Sequence, residues 1–334
     1  MGTKTALVTG ANGFVGCHVA RELIAQGARV RCFIRRNADL RGLEGLDYEP
    51  YVGDLRDAGA IREAARGCEE IYHVAADYRL WVRDPAPMYA ANVDGTRNVI
   101  AAAKAADVRR LIHTSTVGAL GICPGGIGSE DVPVTLDDMV GPYKRSKFLA
   151  EQEALRAVSE GVPIVIVNPS TPIGPGDFKP TPTGRIIADF LNRKLPAYIE
   201  TGLNLAPVED VARGHLLAAE RGRIGEKYIL GGNNLTLAEM LQRLSGLSGL
   251  AAPRMRIPYA VAYGFALGAE AVARVVTHRP PRASLTEVRM ARKKMFFDSS
   301  KAQRELGYAP GSLDEGLMRA INFFRQIGLA RAAA

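Results

Sequence analysis

With 334 residues, 47% of them apolar and 23% charged, the chain can bury a large core and does not fit a disordered or fibrous polymer. Its four cysteines, Cys17, Cys32, Cys68 and Cys123, form no C-x-x-C pair, which argues against a zinc knuckle, another metal site or a disulfide framework and fits a reducing, cytoplasmic compartment. The net charge of +8 is concentrated: Arg254–Lys294 holds nine Lys/Arg against two Glu, and without a recognition motif this favours an anionic membrane surface or a phosphorylated substrate over nucleic acid.

The first predicted strand, Thr5–Thr9, runs into Gly10-Ala11-Asn12-Gly13-Phe14-Val15-Gly16 and a helix over Phe14–Gln26. Gly10 permits a sharp turn, Gly13 lets a pyrophosphate approach the backbone, and Gly16 lets the helix lie close to the sheet. The helix start then offers free N–H groups and a positive dipole end to phosphate. This strand–turn–helix setting marks a dinucleotide site. The glycine turn interrupts the N-terminal apolar stretch, so it does not read as a signal peptide.

Further strands are predicted at Arg29–Ile34, Tyr48–Val52, Glu70–Val74, Arg110–Thr114 and Pro163–Val167. Helices at Ala58–Ala65, Pro87–Ala106 and Tyr143–Ser159 alternate with them, which predicts an α/β fold with a doubly wound parallel sheet of Rossmann type. Ile164-Val165-Ile166-Val167 is apolar throughout, as expected for a strand covered on both faces. The pattern breaks after Asn168 in a stretch rich in proline and glycine. Residues 1–168 are therefore expected to form the dinucleotide domain. Residues 169–330 should form mostly a smaller C-terminal substrate lobe, with some segments returning to the first domain. That lobe should hold helices at Gly184–Leu195, Glu209–Arg221 and Leu237–Ser245 and a strand at Lys227–Gly231. Ile257–Val276 is apolar with basic flanks: a core helix is the preferred reading, and an interfacial helix at the inner membrane face is the alternative.

Tyr143 and Lys147 stand four residues apart, on one face of a predicted helix. A nearby ammonium is expected to lower the pKa of the phenol from about 10, so that Tyr143 can exchange a proton near neutral pH. The strand before it ends in the hydroxyl run Thr114-Ser115-Thr116. Thr116 is the first candidate, and Ser115 the second, to hydrogen-bond a substrate oxygen beside Tyr143.

The glycine-rich start, Thr116, Tyr143 and Lys147 resemble the extended short-chain dehydrogenase/reductase superfamily. Gly53-Asp54-Leu55, His73-Val74-Ala75-Ala76, Asn92–Val99, Pro207–Ala212 and Glu305-Leu306-Gly307-Tyr308 extend the resemblance along nearly the whole chain. Within that superfamily the chain is similar to the dihydroflavonol-4-reductase-like branch. Through Ala75–Trp81, Tyr143–Glu151, Asn168–Pro175, Lys179–Arg185 and Met290–Phe297 it also resembles the bacterial hopanoid-associated sugar epimerases.

The resemblance implies an NAD(P)-dependent oxidoreductase or epimerase acting at a secondary alcohol or ketone of a sugar or sugar-linked, hopanoid-related substrate. An NADPH-dependent ketone reductase is the alternative, and a redox sensor without turnover is a third reading. The resemblance also implies that Asp54 and Leu55 meet the adenine. Val74, Ala75 and Ala76 would line ribose and pyrophosphate, with Asn12, Phe14 and Val15 in the glycine loop. Asn92 would support the neighbouring helix, Thr114 and Lys147 would serve the cofactor, and Pro169 and Ser170 would lie near the nicotinamide. Asp77, Tyr78, Trp81 and Arg185 are substrate candidates, within a pocket framed by Asp77–Val82, Gly121–Val140 and Lys179–Arg185. A homodimer through the Pro87–Ala106 and Tyr143–Ser159 helices is a further implication.

The second strand ends in Arg35-Arg36 with no acid to bind a ribose 2′-hydroxyl. Guanidinium groups suit a 2′-phosphate, so NADP is expected in preference to NAD. Pro169-Ser170-Thr171 lacks the Asn that sugar-nucleotide epimerases commonly carry two residues after that proline, which argues against a UDP-sugar.

Overall fold

A computed structural model describes residues 4–123, 126–281 and 283–331. Seven strands form the main sheet: β1 (Thr5–Thr9), β2 (Arg29–Ile34), β3 (Glu49–Val52), β4 (Glu70–His73), β5 (Arg110–Thr114), β6 (Ile164–Pro169) and β7 (Lys227–Leu230). Their order is β7-β6-β5-β4-β1-β2-β3 and every pair is parallel. The winding reverses between β1 and β4, which opens a crevice at the carboxyl ends of the strands, where ligands bind in such sheets.

The helices are α1 (Phe14–Ala25), α2 (Ala58–Ala65), α3 (Gly95–Ala105), α4 (Gly141–Ser159), α5 (Pro182–Leu191), α6 (Val208–Arg221), α7 (Leu237–Ser248), α8 (Tyr259–Val272) and α9 (Leu313–Gln326), with shorter ones between. Side chains alternate across each strand and so feed two cores. Ala6, Val8, Tyr72, Ile112, Val165 and Val167 pack with Val19 and Leu23 of α1 and Val211 and Leu216 of α6. Leu7, Ile71, Leu111, Ile164 and Ile166 pack on the other face with Ile61 of α2, Val99 of α3 and Ala154 of α4. Each large side chain buried in this way contributes about 1.5–3 kcal/mol, so both faces hold the sheet.

The sheet therefore has the Rossmann-type organisation that the alternation predicts, and several elements differ in detail. Near residue 168 the chain leaves the sheet and later segments return to it, the kind of arrangement expected above. β6 continues to Pro169, and α6 and β7 return to the first layer. The remaining lobe has its own three-stranded sheet of Thr171–Ile173, Gly202–Pro207 and Asn233–Thr236. It packs α5, α7 and α9 around Ile187, Leu205, Leu241, Leu317 and Phe324. The Pro87–Ala106 helix is not continuous α: it starts at Ala86 and makes a π-type turn over Ala90–Asp94 before α3.

The preference for a core helix at Ile257–Val276 is overturned. α8 buries only Ala262, Ala266 and Glu270, while Val261, Phe265, Leu267 and Val272 are exposed. The protein covers one narrow stripe of small residues and leaves the rest of the apolar surface open.

A Cβ on Gly16 would overlap the Gly10 carbonyl oxygen, whereas a Cβ on Gly246 in α7 meets nothing within 4 Å. Gly16→Ala is expected to cost about 1–3 kcal/mol through overpacking. Gly246→Ala is expected to be neutral or to stabilise by up to about 1 kcal/mol. Urea unfolding midpoints of the two variants check the contrast.

Candidate active site

The glycine turn lies at the switch point. Gly10 has φ +66°, and a Cβ there would stand 2.6 Å from Ala75 Cα, so only glycine lets β1 and the segment after β4 meet. Gly13 is extended, exposed and caps α1 without any side-chain hydrogen bond, which leaves the helix start open to an anion. Asn12, Phe14 and Val15 are half-buried around it, and Val74, Ala75 and Ala76 are half-exposed opposite.

A buried relay fixes this floor. Thr9 Oγ1 is 2.8 Å from His73 Nδ1, and His73 Nε2 is 3.0 Å from Thr96 Oγ1, which donates to the Asn92 carbonyl. Burial pushes the His73 pKa down to about 3, so the ring is neutral.

Arg35 and Arg36 are exposed just beyond β2. Asp54 follows β3, and its carboxylate is 2.8 Å from the Arg56 guanidinium. That hydrogen bond, more than any other influence, pushes the Asp54 pKa down to about 2. Leu55 packs under Gly95, and its carbonyl accepts from Asn98 at 2.8 Å.

The Y-x-x-x-K spacing does fall on one face of α4, and Glu151 continues that face four residues further on. Lys147 is buried and its Nζ donates to the Thr114 carbonyl at 2.6 Å. Burial pushes its pKa down to about 8, although nearby Glu151 opposes the shift.

The expected lowering of the Tyr143 pKa is not found. Burial raises it, and a hydrogen bond with Thr116 only partly offsets the rise. The physical reason is that the Lys147 ammonium is itself buried and engaged by a carbonyl, so desolvation of the phenol dominates. Thr116 Oγ1 also accepts from the Gly118 N–H at 3.0 Å, which holds the hydroxyl beside Tyr143.

Ser115 is corrected. Its hydroxyl turns inward and donates to Glu151 Oε2 at 2.5 Å, so it does not face a substrate. The Thr114 side chain also turns away, 3.0 Å from His215 Nε2, and only its carbonyl serves the site.

Three further residues organise the site. Glu151, fully buried, pairs with Lys227 at 2.7 Å. Asn168 donates to Glu151 at 3.0 Å and to the Thr116 carbonyl at 3.1 Å. Lys144 is buried with its Nζ 3.8 Å from Met295 Sδ, and burial and the Lys293 charge push its pKa down to about 8. Sequence reasoning missed these roles, although the i+4 spacing from Lys147 to Glu151 carried a signal. Asn92, in the π-type turn, donates to Ser146 Oγ and to the Asp77 carbonyl, both at 2.9 Å, and so ties the loop after β4 directly to α4.

A dinucleotide fits these residues. The glycine cradle excludes any Cβ, and the helix start has no side-chain cap. Pro169 ends β6, and the buried Oγ of Ser170 has no hydrogen-bond partner. The Gly10–Gly13 turn and the start of α1 would take the pyrophosphate, with Gly16 packing the helix against the turn, Lys147 the ribose, and Ser170 a polar atom of the nicotinamide end.

Beside this face opens a cleft of about 640 Å³ lined by Gly118, Leu120, Met139, Lys144, Tyr259 and Met295, among others. Parts of the expected Gly121–Val140 frame line it, while Pro124 and Gly125 lie outside the described residues. Of the Asp77–Val82 frame, Asp77 is held by Asn92 and Tyr78 stands near enough to Tyr143 to help raise its pKa. Trp81 lines a second cleft, of about 370 Å³, with Glu270 and Arg274. Asp77 is ion-paired with Arg79, Tyr78 Oη is 3.5 Å from the Lys179 carbonyl, and Arg185 is exposed. None of these four substrate candidates lines the larger cleft.

The parallel sheet and the glycine cradle at its switch point define a Rossmann-type dinucleotide-binding protein. More particularly, the chain belongs to the NAD dependent epimerase/dehydratase family, whose model matches residues 6–231. It is 43% identical over 329 residues to a putative dihydroflavonol 4-reductase of Synechocystis sp., covering 97% of this chain and 95% of that one. It is 37% identical over 326 residues to sterol demethylase protein B of Methylococcus capsulatus, covering 97% and 99%. Among solved structures it is similar to gox2253, with a TM-score of 0.88 and 46% identity, covering 98% of this chain and 100% of that one.

Tyr143→Phe is expected to lower NAD(P)H-linked turnover about 10²–10⁴-fold with the fold intact, as checked by steady-state kinetics and thermal melting. The folded-state pKa of Lys147, about 8, lies below the ordinary value of 10.5, so the unfolded chain binds the extra proton between those values. The penalty is full below pH 8 and is relieved as pH rises. Relative to Lys147→Met, wild type should therefore gain stability as pH rises through that window in parallel urea titrations, whatever the offset from the lost Thr114 hydrogen bond.

Proposed function

We propose that the protein is an NADP(H)-dependent oxidoreductase that interconverts a ketone and a secondary alcohol on a largely apolar, lipid-like substrate. The observation that carries this reading is the larger cleft, which reaches Gly118 and Lys144, chain neighbours of Thr116 and Tyr143; those two residues do not themselves line it. Its walls include Leu120, Ile122, Val132, Met139, Val140 and Met295, with cations from Lys144, Arg289, Arg292 and Lys293 against one acid, Asp138. Such a cleft suits an apolar body that carries one polar or anionic group. The relative named for sterol demethylation supports the substrate class, and the relative named as a putative reductase supports the reaction. A hopanoid-derived, sugar-linked compound is the particular candidate to which the sequence resemblance leads.

In this reading the bound nicotinamide supplies the hydride chemistry at the substrate carbon. Thr116 donates a hydrogen bond to the carbonyl oxygen and holds it beside Tyr143. The raised pKa keeps Tyr143 protonated, so it gives its proton to the oxygen during reduction; in the reverse direction the phenol would first have to lose its proton to solvent, and the phenolate would then accept the alcohol proton. Lys147 holds the ribose, and solvent restores the phenol proton. The family description favours a second reading, epimerisation through a transient ketone, with the same residues.

Two measurements test the reading. Purified protein should hold NADPH loosely and exchange it; tightly retained NAD would overturn reduction in favour of epimerisation. Arg35→Asp/Arg36→Asp should weaken NADPH binding at least about tenfold, as each lost charge-assisted contact is worth about 1.5–3 kcal/mol, and should spare NADH. Unchanged NADPH affinity in that variant would sink the cofactor assignment.

A further inference from the structure

We propose that α8 and the turn after it form a docking face for an anionic lipid bilayer. The segment Tyr259–Thr277 is 19 residues long, α8 followed by a π-type turn over Ala273–Thr277. At 1.5 Å per residue it spans about 28 Å. Ala262, Ala266, Glu270 and Ala273 form its buried stripe. Away from that stripe stand Val261, Phe265, Leu267, Val272, Val275 and Val276, with Phe265 59% exposed and Val275 77% exposed. Six large apolar side chains on one element form a patch that a soluble surface rarely presents without a counterpart.

Charge identifies the counterpart. Arg254 precedes the helix, Arg279 lies beyond its far end, and Arg289, Arg292, Lys293 and Lys294 follow, all exposed; Arg256 and Arg274 are exposed too but are paired with Glu200 at 3.3 Å and Glu270 at 2.7 Å. Arg282 lies outside the described residues. The acids in the same stretch are occupied. Glu270 pairs with Arg274 at 2.7 Å, and Glu287 closes the cap at Ser284. An apolar face on an element flanked in sequence by exposed cations complements acyl chains below anionic headgroups, and Arg289 and Arg292 lie against Tyr263 and Tyr259 at the edge of the covered stripe. A second copy of this chain would bring two cationic clusters together and is disfavoured by repulsion.

The segment lies on the bilayer rather than crossing it. Glu270 is held by the protein, because its Oε2 accepts from the Leu285 N–H at 3.0 Å, and the alanine stripe packs against Val288. Tyr259 and Tyr263 at the start of α8 line the larger cleft, so docking brings that cleft close to the membrane surface. The docking rests on exposure and charge alone and stands apart from the substrate reading.

Co-sedimentation of the full chain with phosphatidylcholine vesicles, with and without phosphatidylglycerol, tests the proposal without turnover. Binding is expected only with phosphatidylglycerol, and high salt should weaken it. Phe265→Ser/Val275→Ser/Val276→Ser should lower the bound fraction about tenfold or more with an unchanged melting temperature. Arg254→Glu/Arg279→Glu should do the same by a separate route. No binding at low salt, or binding indifferent to phosphatidylglycerol, overturns the proposal. So does a lipid-free dimer in sedimentation velocity that the triple serine variant abolishes, because the face would then belong to a second copy.

Discussion

The buried ammonium of Lys147 is the constraint around which the site is organised. A desolvated charge is costly, and the chain can carry it only by aiming polar groups at it. The Thr114 carbonyl, at the open end of β5, is the direct partner, and Glu151 supplies the opposing charge. Glu151 is buried in turn and so recruits Ser115, Asn168 and Lys227. Asn168 then fixes the Thr116 carbonyl, and with it the hydroxyl beside Tyr143. One charge thus specifies the relative placement of β5, β6, β7 and α4.

Much of this was legible in the sequence because it depends on local rules. The glycine spacing has a steric cause at Gly10 and Gly16, where any Cβ would meet backbone. The strand alternation and the helix face bearing Tyr143 and Lys147 follow from periods of two and 3.6 residues. What escaped depends on long-range partners. The inward turn of Ser115 is decided by Glu151, 36 residues away, and a hydroxyl run at a strand end looks the same whichever way its members point. The π-type turn at Asn92 leaves no composition signal, because its purpose is to aim one amide at Asp77 and Ser146.

The same limit explains α8. An apolar run with alanine and glycine at helical spacing fits a core helix or a surface helix equally well. What separates them is the area the rest of the chain can cover, and here only a stripe of small side chains is covered. Glu270, at first sight a poor residue for either setting, fits the observed arrangement: its carboxylate anchors the helix to the Leu285 amide and neutralises Arg274.

Tyr143 and α8 together bear on how water is kept from the chemistry. The phenol pKa is raised by partial burial, and reduced solvation strengthens each hydrogen bond aimed at a substrate oxygen. The larger cleft has apolar walls and is edged by Tyr259 and Tyr263, so an apolar body entering there would displace water from Leu120, Met139 and Met295, while Lys144, Arg289, Arg292 and Lys293 would need a polar or anionic group or retained water as partner. A hydrophilic substrate would gain little from Leu120, Met139 or Met295 and would lose hydration on entering. Under the proposed function, discrimination by such a pocket would come from desolvation as well as charge, and the walls of the cleft would bear more directly on substrate class than Thr116 and Tyr143, which would serve epimerisation and reduction alike.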